Sequence, residues 1–202
     1  MKFNFDISNR KSYSYLEYRS LINELLAQGK TTGTNHSDSY IEYTKMNVVR
    51  MRRWDKIAVL NEDLIGELQN AIPQTWILLT EAWCGDAAQN IPWIVKMAET
   101  SPHISLHLIL RDENLDIMDE YLTNGGRSIP KLIAISNEGN ELFNWGSRPE
   151  FIQNEYLKLK SMGHEYSSIS EIIHKMYAKN KGKELQNEFL QLLKHSKLSI
   201  EV

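Results

Sequence analysis

Thr75 to Pro92 reads TWILLTEAWCGDAAQNIP, and the fold turns on this stretch. Trp76, Ile77, Leu78 and Leu79 form a short apolar run of the length of a buried strand. Thr80 to Ala82 lead out of it. Trp83-Cys84-Gly85-Asp86 then makes a turn, and Ala87 onward reads as a helix broken or bent at Pro92. A cysteine is thereby delivered from a strand to the start of a helix. Unpaired N–H groups and the positive end of the macrodipole favour a thiolate there.

Downstream, Gly126-Arg127-Ser128-Ile129-Pro130 precedes the apolar Leu132 to Ile135. Trp83-Cys84-Gly85, Pro92 and the Pro130 segment, in that order, resemble the active-site turn, the kinked helix and the cis-proline loop of the thioredoxin family. The resemblance covers roughly residues 72 to 159. It implies a cis bond between Ile129 and Pro130, which costs only ~0.5–1 kcal/mol at an X–Pro bond. It also implies that Cys84 lies at the surface beside the Ile129 backbone, where a thiol substrate or an extended peptide would pair. The pattern departs from the family at three positions. Ala87 stands where the second cysteine belongs, Asp86 replaces the intervening proline, and Leu78 occupies the place of a buried acid.

The remaining chain is consistent with that fold. Ile104 to Leu110 is a strand by alternation and apolarity, and Asn114 opens a helix through Leu115, Ile117, Met118 and Leu122. Leu132–Ile135 and Glu141–Trp145 form a hairpin across Asn137-Glu138-Gly139-Asn140, and a helix opens at Arg148-Pro149-Glu150. Strands alternating with helices, followed by a hairpin, predict an α/β domain with a mixed sheet flanked by helices, the thioredoxin-like arrangement.

Before this core, Met1 to Ser12 reads as an extended arm. Ser14 caps a helix that Gly29 stops, a second helix runs from Asp38 to Ile57, and Asn61 caps a third. The expected organisation is a helical N-terminal extension over 1–71, a thioredoxin-like core over 72–161, and C-terminal helices over 162–202. Tyr40, Tyr43, Met46, Val49, Met51 and Trp54 form an uneven stripe on the second helix, and such side chains are expected to pack as core.

With 202 residues and a formal net charge of −3, both signs mixed throughout, the chain describes an ordinary soluble protein. Arg50-Met51-Arg52-Arg53 is too short a basic run to predict nucleic-acid binding. The first ten residues lack a signal-peptide pattern and no apolar run approaches a membrane span, so the expected location is cytoplasmic. The single cysteine excludes an internal disulfide and accords with a reducing compartment. The six histidines lack metal-ligand spacing, so no metal is expected.

One cysteine also limits the chemistry. It forms a mixed disulfide with protein or small-molecule thiols and disulfides, or is oxidised to a sulfenic acid, and is released only by an external thiol. No prosthetic cofactor is implied; glutathione or another thiol would serve as cosubstrate. The expected roles are Cys84 as nucleophile, Asp86 as a proton relay or tuning group, and Trp83, Gly85, Ile129 and Pro130 as the partner-binding surround. Asp86 has a plainer reading, a first-turn acid stabilising its helix by ~0.3–1 kcal/mol. The competing function is a non-catalytic thioredoxin-fold interaction module. Two further readings fit less well. A glutathione-conjugating enzyme carries most of its helices after the domain. A peroxidase wants a threonine where Glu81 stands.

Overall fold

The computed structural model describes residues 2–3 and 5–198; Met1, Asn4 and residues 199–202, at the ends of the expected arm and C-terminal helices, lie outside the described residues. Four strands, β1 (Gln74–Thr80), β2 (Ile104–Leu110), β3 (Lys131–Ser136) and β4 (Glu141–Gly146), form one sheet in the order β2-β1-β3-β4. β1 runs parallel to β2 and antiparallel to β3, and β3 pairs antiparallel with β4. The helices are α1 (Tyr15–Ala27), α2 (Asp38–Ile57), α3 (Glu62–Gln69), α4 (Gly85–Thr100), α5 (Leu115–Glu120), α6 (Glu150–Ser161), α7 (Tyr166–Asn180) and α8 (Lys183–Leu198). Among the described residues, no helix is long and apolar enough to cross a membrane.

The middle of β1, Trp76 to Leu79, is continuously apolar because both faces of the strand are covered. Trp76 and Leu78 join the larger core with α4, α2, α3 and α8. Ile77 and Leu79 point the other way, into a cluster with Ile109, Ile133, Ile117 and Met118. All four β1 side chains are fully buried, each contributing ~1.5–3 kcal/mol of transfer free energy. The arm docks on this second cluster through Phe3, Phe5 and Ile7. A third cluster, around Ile152, Leu159, Ile169, Ile173 and Tyr177, joins α6 to α7.

Local signals fix the element ends. The Ser14 hydroxyl accepts from the Glu17 N–H while the Glu17 carboxylate accepts from the Ser14 N–H, a capping box that starts α1. Asn61 Oδ1 accepts from Leu64 N at 2.8 Å to start α3. Asn114 precedes α5 without capping it; its Nδ2 donates instead to Leu110 O at 2.8 Å, and its Oδ1 accepts from Arg10 at 3.0 Å.

The segments flanking the sheet determine how the cysteine turn is held. Asn47 of α2 donates to Ala82 O at 2.8 Å, and the Thr32 hydroxyl accepts from Ala82 N at 2.8 Å. Trp54 of α2 donates to Gln89 of α4 at 2.6 Å. From the other side, α7 reaches the first turns of α4. Tyr177 OH donates to Asp86 at 2.9 Å, and Gln89 contacts the His174 ring at 3.1 Å.

Candidate functional site

Cys84 is the N-cap residue of α4, at the end of the turn that leaves β1. Its Sγ accepts a long contact from Ala87 N at 3.5 Å, and its S–H donates to Ile129 O at 3.2 Å. The Ile129–Pro130 bond is cis, as the resemblance implies. The thiol therefore rests on the backbone carbonyl that precedes the cis-proline.

The side chain is partly exposed, and what it faces is a cavity of about 390 Å³ rather than open surface. One wall comes from α2, with Tyr40, Tyr43, Met46 and Arg50; the opposite wall comes from α7, with Tyr166, Ile173 and His174. Tyr43 and Met46 are 40% and 44% exposed, and Val49 is 65% exposed. The expectation that this helical stripe is core holds for Met51 and Trp54 and fails for these residues. Their spacing puts them on a face of α2 that turns toward the cysteine or solvent, away from the sheet.

Trp83 forms the adjoining wall. Its ring packs against Tyr40 with centroids 5.1 Å apart, and the Arg111 guanidinium lies 4.8 Å from the ring centroid. Gly85 is required for space. A Cβ there would stand 2.8 Å from two atoms of the His174 ring and 3.3 Å from Arg50 Nη1.

Asp86 is not the solvent-facing first-turn acid of the plainer reading. It forms an ion pair with Arg148 at 2.8 Å, with side-chain exposures of 16% for the arginine and 13% for the aspartate. It also accepts from Tyr177 OH. Burial raises the Asp86 pKa, against the opposing pull of Arg148 and Tyr177. Burial first, and Asp86 second, push the Cys84 thiol up to about 12. The contest between helix terminus and nearby acid thus goes against the thiolate, and the S–H···O bond to Ile129 fits a protonated thiol.

Three groups in or beside the site carried no signal in the sequence. Arg148 is one; its position before Pro149 marks a helix start and nothing more. His174 is another. Burial, with Arg50 and Arg148 nearby, lowers its pKa to about 4, so the ring is neutral. Gln89 Oε1 is taken by the Trp54 N–H, which orients the Gln89 amide to donate to Nδ1 and leaves the proton on Nε2. The third is Glu81, fully buried, with Oε1 accepting from Asp112 N at 2.9 Å and Oε2 unpartnered among the described residues. Burial raises its pKa to about 7. Leu78 is fully buried in the core, and the buried Glu81 carboxyl stands three residues further along the chain.

A β2-β1-β3-β4 sheet, with a helix-capping cysteine set against a cis-proline, defines a thioredoxin-like protein with one cysteine. The chain belongs to the thioredoxin family: the family profile described as "Thioredoxin" matches residues 33–162. That match begins before α2, so it includes two of the helices that precede the sheet. Among solved structures, an HIV epitope-scaffold protein is 17% identical with a TM-score of 0.52, covering 85% of this chain and 96% of its own. A Pseudomonas aeruginosa protein of unknown function is 16% identical with a TM-score of 0.48, covering 87% and 99%. Trichomonas vaginalis thioredoxin is 19% identical with a TM-score of 0.28, covering 59% and 94%. At these identities the scaffold protein supports the fold alone. No curated protein gives a significant match.

Proposed function

We propose that this chain is a monothiol thioredoxin-like protein that carries out thiol–disulfide exchange through Cys84, in a reducing compartment. The observation that carries the reading is the position of Sγ, on a residue that lines a cavity, and bonded to Ile129 O beside cis-Pro130. In the exchange, the Cys84 proton leaves to solvent and the thiolate attacks one sulfur of an external disulfide. A new S–S bond forms, the old one breaks, and the departing thiolate takes up a proton. With no second cysteine in the chain, an external thiol must then break the mixed disulfide.

The raised thiol pKa makes the resting protein slow. A substrate N–H that takes over the Ile129 carbonyl removes the acceptor that favours the neutral thiol, and so lowers its pKa on binding. Asp86, bound by Arg148 and Tyr177, tunes the thiol and positions the turn. Incubation with a disulfide should give one mixed-disulfide adduct by intact mass. Cys84→Ser should abolish it while the far-ultraviolet circular dichroism is unchanged; an adduct on the serine variant would sink the reading.

The second reading is a non-catalytic interaction module, favoured by the same elevated pKa. It expects binding of a partner at the Trp83 and Pro130 surface to survive Cys84→Ala, and no adduct to form.

A further inference from the structure

The cavity beside Cys84 carries an uncompensated positive charge. Four arginines line it, against a single acid, Asp86. Three of the four are neutralised: Arg148 by Asp86, Arg111 by Asp112 and Arg127 by Asp119. Arg50 pairs with no carboxylate among the described residues. Its Nη1 donates to the side chain of Asn47 at 2.7 Å, which fixes the guanidinium and leaves its other donors without a partner among the described residues. Burial lowers its pKa and outweighs the pull of Asp86, whose carboxylate is already ion-paired with Arg148.

Other residues with donor groups line the same cavity. His174 presents Nε2–H, by the Gln89 argument above. Ser147 is 2% exposed and lines the cavity, and its hydroxyl has no hydrogen-bond partner among the described residues. Arg148 Nε, on another lining residue, is likewise buried and unpartnered among the described residues. Buried polar atoms left unpaired cost ~1–3 kcal/mol each, so a bound group that satisfied them would be favoured. Met46, Ile169 and Ile173 supply apolar surface in the same cavity. A guanidinium fork pairs with carboxylate and phosphate alike, but a single excess positive charge matches a carboxylate monoanion better than a dianionic phosphate.

We propose that the Arg50 side of this cavity is a carboxylate-binding subsite, and that the thiol or disulfide reacting at Cys84 is a small carboxylate-bearing molecule. The second clause rests on the exchange reading; the first stands without it. Arg50 Nη1 lies over Gly85, the neighbour of Cys84, so an anion held there places the rest of a short molecule at the sulfur.

Two measurements test it, and neither requires disulfide exchange. The first compares alkylation of the sole cysteine by iodoacetate and by iodoacetamide, in native and urea-unfolded protein at one pH. The iodoacetate-to-iodoacetamide rate ratio should be about tenfold higher in the native protein, the equivalent of one charge-assisted contact. Arg50→Gln should return it to the unfolded ratio, and Arg50→Lys should retain part of the preference. The second follows the His174 ring protons by NMR during titration with glutarate, with neutral glutaramide and inorganic phosphate as controls. Glutarate should give a saturable shift that glutaramide does not give and that Arg50→Gln removes. Equal ratios in native and unfolded protein together with no glutarate shift overturn the subsite, as does an equal shift with glutaramide. A stronger response to phosphate overturns the carboxylate assignment. A carboxylate preference without any mixed disulfide keeps the subsite and sinks the exchange reading instead.

Discussion

At Cys84 the helix N-terminus, which by itself favours a thiolate, competes with burial and with a carboxylate two residues on. The structure resolves the competition toward the thiol, with a pKa near 12. Alkylation by a neutral reagent should therefore rise about tenfold per pH unit from pH 7 to 9 without a plateau, as expected of a group titrating above that range. In unfolded protein the same plot should bend near ~8.5. Asp86 and Arg148 should behave as a buried pair. Arg148→Leu leaves a buried carboxylate without its ion pair, held only by Tyr177 and the field of Arg50, and should cost about 3 kcal/mol in urea unfolding, recovered in part by adding Asp86→Asn. None of this could be read from Asp86 in the sequence. Its partner lies 62 residues downstream, and the helix-dipole role suits any first-turn acid.

At the scale of the elements, α4 is where sequence and packing meet. Its start at the cysteine turn and the Pro92 within it follow from local chemistry, and both are present. What packs over that start does not follow. The His174 ring and the Arg50 guanidinium converge on Gly85 from helices far apart in sequence. Gly85→Ala should gain up to ~1 kcal/mol of helix propensity. Overpacking against a ring fixed by Gln89 should lose ~1–3 kcal/mol, for a net destabilisation in urea. The displaced ring should lose its Gln89 contact, and the His174 pKa, followed by NMR, should move up from about 4. The misread stripe on α2 has a related cause. Tyrosine and methionine at helical spacing are as suited to a cavity wall as to a core, and periodicity gives the face without saying what it faces.

Over the whole molecule, two buried groups set opposing pH dependences. Glu81 has a pKa of about 7 when folded, against an ordinary 4.5, so between those values the folded chain holds a proton the unfolded chain has released. Stability from this group falls as pH rises through that window, by about 3 kcal/mol in all. His174 has a pKa of about 4 when folded, against 6.5, so its contribution falls as pH drops through 6.5 toward 4. The two slopes oppose each other between pH 4.5 and 6.5. Glu81→Gln should remove only the first, so that the variant gains on wild type by about 3 kcal/mol between pH 4.5 and 7 in urea unfolding. Parallel stability curves for the two proteins would show that Glu81 ionises normally.

The sequence by itself determined the strand, the cysteine turn, the helix with its proline, the hairpin and the capped helices. These depend on periodicity, capping and turn chemistry within a few residues, and the mixed sheet follows from their order. Only the tertiary structure decided what Cys84 is. The cavity, the Arg148 partner of Asp86, the neutral His174 and the unpaired Arg50 come from α2, α7 and the loop after β4, brought together across 50 to 177 in the sequence. A thiol's charge depends on the desolvation and fields of everything packed around it, and those are properties of the folded chain that no local pattern contains.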